Sequence, residues 1–273
     1  MGYTNAMKKL VLFLLILLSI VALQAASQSP DQIDVTTIIQ RSVEANAIDW
    51  KAAPEYDYFE RDQQPGGGTR TYEELMILGS PYERLVGING KLLSPEQQAA
   101  EQQKLEAAIV QRQNESGRER TQRIAKYERD RKRDALFLAQ LTKAFDFTLV
   151  GEQKLDGYDV YVLRATPRAS YRPPNLQTEV LPGMQGTLWI DKKTFQWVKV
   201  EAQVIRPVSI EGFLAQVEPG TRFALEKMPV QDAIWLPKHF AMKSQAKVLF
   251  FFNRKSQADE TYYGYHKAPL IQR

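Results

Sequence analysis

The sequence predicts an α+β fold built on one mostly antiparallel sheet of about ten strands. Two observations carry that expectation. Short runs alternate apolar and polar residues and are joined by tight-turn dipeptides such as Asn89-Gly90. Helical periodicity is confined to two blocks, residues 34–52 and 94–143, and does not alternate with the strands.

The N-terminus carries Lys8-Lys9, an apolar run from Leu10 to Leu23, and small residues at Ala22, Ala25, Ala26 and Ser27. A basic start, a short apolar stretch and small residues at its end define a secretory signal peptide. The run falls short of the roughly 20 residues that cross a bilayer. Residues 1–26 are therefore expected to be the signal peptide of an exported protein, with an uncleaved anchor as the alternative. Residues 27–273 are expected to form one domain with a long helical insertion at about 94–143. The chain has no cysteine, so disulfides and a cysteine-borne lipid are both excluded.

Asp34 to Ala52 reads as a helix, with Val35, Ile38, Ile39, Val43 and Ala47 at helical spacing. Tyr56 to Arg61, Thr71 to Leu78 and Tyr82 to Ile88 read as a strand meander, broken by the turn Gln64-Pro-Gly-Gly-Gly. Ser94-Pro95-Glu96-Gln97 has the form of a capping box with proline at the first helical position. The helix it opens is interrupted near Asn114 to Gly117, and a second runs from Arg118 to Lys143. Strands resume at Phe145 and at Tyr158 to Ala165. Gly186 to Glu201 is a hairpin around Asp191 to Thr194. Alternation places Leu188, Ile190, Val198 and Val200 on one face, and Trp189, Phe195 and Trp197 on the other. A loop with an apolar tip at Phe213 and Leu214 follows, then strands at Thr221 to Met228, Trp235 to Ala241, Ala246 to Asn253 and Glu260 to His266.

The inventory argues against an enzyme. His239 and His266 are the only histidines, and without cysteine a conventional zinc cluster is not available. No Gly-x-Ser-x-Gly elbow is present, and Gly66-Gly67-Gly68 lacks the Lys-Ser/Thr of a phosphate loop. No catalytic, cofactor or metal residue is assigned. The formal net charge is only +4, and carboxylates interrupt the basic tract Arg129 to Arg133. That tract reads as a solvated helix face, and no nucleic-acid partner is expected.

Three stretches carry a family resemblance: Leu155-Asp-Gly-Tyr-Asp-Val-Tyr-Val-Leu163, Gly186-Thr-Leu-Trp-Ile-Asp191 continuing as Thr194 to Glu201, and Ile234-Trp-Leu-Pro-Lys238. In this order, after a signal peptide, a helix and a meander, the chain resembles the outer-membrane lipoprotein-sorting superfamily of LolA and LolB, with RseB-like relatives. The resemblance implies a strongly curved antiparallel sheet, an incomplete barrel, with helices covering its concave side. It also implies a periplasmic carrier or chaperone that holds lipoprotein acyl chains or a lipid in the cavity between them. The expected lining is Leu188, Ile190, Val198, Val200, Phe223, Leu225, Phe240, Met242, Phe250 and Phe252, with Met76, Met184 and Met228 as adaptable surface. Arg61, Arg84 and Arg164 are candidates for an arginine that locks a lid. The alternative is a non-enzymatic scaffold or sensor domain that binds another envelope protein through the long helices, which exceed the short lid elements of the carriers.

Overall fold

Period-two alternation and local caps account for most of the elements. The computed structural model describes residues 33–210, 215–231, 234–248 and 252–269. Helix α1 (Val35–Ala52) leads through a 3-10 turn into β1 (Tyr56–Gln63), β2 (Thr69–Ile77), β3 (Ser80–Ile88) and the short β4 (Lys91–Leu92). Helices α2 (Pro95–Gln113) and α3 (Gly117–Ala144) follow, then β5 (Phe145–Leu155), β6 (Tyr158–Pro167), β7 (Met184–Asp191) and β8 (Trp197–Val204). The remaining strands are β9 (Val208–Ile210), β10 (Ala215–Val217), β11 (Arg222–Gln231), β12 (Ile234–Val248) and β13 (Phe252–Lys267). The signal-peptide segment and the Phe213-Leu214 tip lie outside the described residues. Among the described residues, no helix is long and apolar enough to cross a membrane.

All of these strands belong to one 13-stranded antiparallel sheet. Its order is β4-β3-β2-β1-β13-β12-β11-β8-β7-β6-β5, with β10 and β9 attached beside β12. The path is open, because its end strands β4 and β5 do not pair with each other. This corrects the expected architecture: the sheet is neither strongly curved nor an incomplete barrel, and there is no concave side for helices to cover. The physical reason is that alternation fixes which face a side chain takes but says nothing about the angle between strands. Closure needs a matched tilt and stagger around the whole sheet. Only the resemblance implied curvature.

One extra residue decides how the central hairpin presents its side chains. The β7–β8 register pairs Trp189 with Lys199 and Ile190 with Trp197, leaving a bulge at Val198. A bulge shifts the side chains beyond it to the other face. Trp197 therefore shares a face with Ile190, Leu188 and Val200. Val198 is buried on the opposite face with Val160 and Trp235, against Trp189 and Val162. The expected face assignment fails at Val198 and Trp197 for this reason, and at Phe195, whose ring contacts Tyr161, the cross-strand partner of Ile190. The preceding turn is built by Asp191, whose Oδ2 accepts from the Thr194 amide at 2.8 Å and the Thr194 hydroxyl at 2.7 Å. Phe195 then takes a left-handed φ of 60°.

Both long helices of the insertion start at capping boxes. Ser94 Oγ accepts from the Gln97 amide at 3.3 Å, and Gln97 Oε1 accepts from the Ser94 amide at 3.0 Å. Ser116 and Glu119 repeat the arrangement for α3, at 3.3 Å and 2.8 Å. Two arginines then clamp the helices to the β2–β3 turn. Arg112 of α2 donates to the carbonyls of Ile77 and Ser80 at 2.8 Å and of Pro81 at 2.9 Å. Arg123 of α3 donates to Ser80 Oγ at 2.7 Å and the Leu78 carbonyl at 3.1 Å, and forks onto Glu115 at 2.6–2.7 Å. Gly79 in this turn has φ +88°, and a Cβ there would meet Ile124 at 3.0 Å.

The clamp predicts that Arg112→Ala removes about 1–3 kcal/mol of stability, since charged donors to partly buried carbonyls are lost. Chemical denaturation reads the loss. Hydrogen exchange is expected to accelerate in α2 and the β2–β3 turn while β6–β8 keep their protection.

Candidate functional site

Helix α1 is fastened to the sheet by a buried polar network centred on Asp49, which is 3% exposed. Asp49 Oδ1 accepts from Gln196 Nε2 and from the Trp235 amide, both at 3.0 Å. Its Oδ2 accepts from Lys227 Nζ at 2.6 Å, and Lys227 also donates to Asn46 at 2.8 Å. Two turns before Asp49, Ser42 Oγ accepts from Trp197 Nε1 at 2.5 Å. Arg41 lies over the Phe195 ring at 3.7 Å from its centroid. Burial pushes the Lys227 ammonium below the usual lysine range, while the Asp49 charge opposes that shift.

Between α1, the end of α3 and the sheet this fastening leaves an apolar niche of about 50 Å³. Ile39 and Val43 of α1, Leu141 of α3, and Phe145, Phe147, Met184, Leu188, Trp197, Val200 and Phe223 line it. A volume of that size admits about four water-sized groups. The niche shares Ile39, Val43, Thr142 and Phe147 with an open groove of about 580 Å³, rimmed by Gln40, Glu44, Asp146 and Arg168. Arg168 Nε donates to Asp146 Oδ1 at 2.8 Å on that rim.

Of the residues expected to line a cavity, Leu188, Val200 and Phe223 line the niche, as does Met184 from the expected adaptable surface. Ile190 is fully buried beside Trp197 and does not line the niche. Val198 is on the far face. Leu225 and Phe240 form a half-buried cross-strand pair, and Met242 is the cross-strand partner of Phe223. Phe250 and the Phe252 side chain lie outside the described residues. Arg61 lies over the Tyr263 ring, Arg84 pairs with Glu73, and Arg164 stands on the face opposite α1.

Sequence reasoning missed a seam of carboxyls and tyrosines across β1, β2 and β13, which Tyr127 of α3 approaches at Met76. In register, Tyr58 opposes Glu74, Glu74 opposes Glu83, and Glu60 opposes both Tyr72 and Tyr262. Burial, then a hydrogen bond and charge from Asp62, then the charges of Glu260 and Glu74, push Glu60 up to about 8. Burial, then Glu83 and Asp62, push Glu74 up to about 7. Tyr58, Tyr262 and Tyr265 are raised as well, chiefly by burial. The signal was present as glutamates alternating with tyrosines, but their convergence depends on pairing between strands distant in sequence. Among the described residues, no group of three or more acidic or histidine side chains is arranged to hold a metal ion.

Two outcomes follow. Lys227→Met leaves the Asp49 carboxylate buried without its cation, so the urea midpoint should fall by the equivalent of roughly 3–5 kcal/mol. The seam makes stability depend on pH. Glu60 and Glu74 hold protons more tightly folded than unfolded, so their contribution is full below about pH 4.5 and is lost as pH rises through about 7 to 8. Denaturation from pH 5 to 9 should show that loss, and Glu60→Gln should flatten it.

No protein-family model and no curated protein matches the chain. Among solved structures, the chain is similar to a LolA superfamily protein from Nitrosomonas europaea at 12% identity, covering 87% of this chain and 94% of that one, with TM-score 0.32. A DUF1329 family protein from Desulfovibrio piger is similar at 11% identity over 85% and 92%, with TM-score 0.31. The complex of MucA and MucB from Pseudomonas aeruginosa is similar at 11% identity over 84% and 99%, with TM-score 0.22. The first carries the superfamily name that the sequence resembles. Likenesses this distant assign neither a family nor a function.

Proposed function

We propose that this chain is an exported, non-catalytic binding protein that holds an amphiphile, a lipid or the acyl chain of a lipoprotein, by its apolar end in the niche beside α1. The observation that supports the reading is that the apolar niche and the open groove share Ile39, Val43, Thr142 and Phe147 as walls. An apolar end enters past Ile39, Val43 and Phe147, and a polar head meets Gln40, Glu44 and Arg168 on the rim. Four buried methylene groups contribute about 3 kcal/mol at roughly 0.8 kcal/mol each. The enclosed volume fits a chain end and not a whole acyl chain, so the remainder lies along the groove. Export rests on the basic and apolar N-terminal segment.

A second reading has its own support. Val110 of α2 and Leu136 of α3 are 54% and 56% exposed. Such side chains on the helical insertion suit a scaffold that binds another envelope protein.

Organic extraction of the purified protein followed by mass spectrometry is expected to release a fatty acid or lipid. Val43 is 39% exposed at the niche mouth, so Val43→Asp should keep the fold and weaken binding of a fluorescent fatty acid by about tenfold or more. Empty extracts together with no uptake of the fluorescent fatty acid by the unmodified protein overturn the amphiphile reading. Loss of a protein partner on Val110→Glu and Leu136→Glu, with extracts still empty, supports the second.

A further inference from the structure

The face of the sheet opposite α1 carries a trough of about 540 Å³ across β7, β8, β11, β12 and β13. The strand registers build it as two adjacent cross-strand rows. One row reads Gln185, Gln203, Arg222, Lys243, Gln257. The next reads Arg164, Thr187, Glu201, Ala224, Ala241, Asp259.

Two features of these rows are independent of each other. Arg222 and Lys243 are directly opposed on neighbouring strands, where strands lie about 4.8 Å apart. Like charges in that position destabilise a sheet. Neither their side chains nor that of Arg164 makes a hydrogen bond or ion pair among the described residues. The carboxylates of the trough are already engaged: Glu201 accepts Lys199 at 2.7 Å, and Asp259 faces His239 at 3.1 Å. The second feature is space. Ala224 and Ala241 oppose each other beside the two cations, so the floor is low where the positive charge is highest.

We propose that this trough binds a phosphate ester of a polyhydroxylated, sugar-like molecule. A compact dianion seated over Ala224 and Ala241 relieves the repulsion of Arg222 and Lys243, and Arg164 closes the row from β6. Arginine supplies the forked donors that suit phosphate oxygens. The amides of Gln185, Gln203 and Gln257 each offer donors and an acceptor, which matches hydroxyl groups and not a hydrocarbon. The site lies on the opposite face from the niche and does not depend on it.

Thermal denaturation of the full chain with glucose 6-phosphate, inorganic phosphate and glucose, at constant ionic strength, tests the assignment. Glucose 6-phosphate is expected to raise the melting temperature saturably, by about 5–10 °C at roughly 100 times its dissociation constant. Inorganic phosphate should act more weakly and glucose not at all. Arg222 and Lys243 are exposed, so Arg222→Gln and Lys243→Gln should leave the unliganded melting temperature unchanged or slightly higher. Each should weaken glucose 6-phosphate binding by roughly 10- to 100-fold. Equal shifts with inorganic phosphate overturn the sugar-like part of the assignment. No saturable shift, or one that survives both substitutions, overturns the site.

Discussion

A carboxylate removed from water must be given a full set of partners, and the position of α1 follows from that requirement at Asp49. Its partners come from three separate places in the sheet: the turn before β8, the middle of β11 and the start of β12. Burying an ion costs several kcal/mol before pairing, so the three donors that reach Asp49, one of them a cation, hold the helix in one position. The helix cannot slide without breaking Lys227, Gln196 and the Trp235 amide together. The same fixing sets the gap between α1 and β8, and so the size of the niche. The Ser42–Trp197 bond holds the other side of that gap.

Much of the secondary structure was legible because its signals are local. The capping box at Ser94, the proline after it and the turn residues Asn89-Gly90 and Asp191 to Thr194 act within a few residues of themselves. What was not legible depends on pairing. The bulge at Val198 is invisible in the alternation of β8, yet it sends Trp197 to α1 and Val198 to the other face. The sheet's open form is equally a matter of registers and edges. Asp49 looks like any polar residue near the end of a helix, since its partners lie some 150 to 190 positions away. Of the candidate site, Leu188, Val200 and Phe223 were recognised as apolar strand residues. Helical walls were expected from the resemblance, but which residues of α3 would meet Ile39 and Val43 of α1 depends on tertiary packing and was not legible.

The sheet divides two kinds of surface. On the α1 side its side chains are apolar near β7 and β8 and become carboxyls and tyrosines toward β1 and β2. There, burial makes protonation the cheaper way to keep Glu60 and Glu74 dry. On the far side, a packed cluster of Val160, Val198 and Trp235 gives way to charged and amide side chains. One strand therefore serves both environments. Glu201 and Gln203 of β8 point away from α1 while Val200 and Ala202 point toward it.

The register break between Leu149 and Gly151 in β5 has a consequence for the life of the folded molecule among its copies. β5 ends the sheet, and its outward row of amides and carbonyls would otherwise be a template for another chain. The kink there, with Glu152 and Lys154 beyond it, spoils the flat ribbon that such stacking requires. The opposite margin ends instead in the two-residue β4, too short to recruit a neighbour. A sheet this wide can thus remain open at both borders and still resist growing into a fibril.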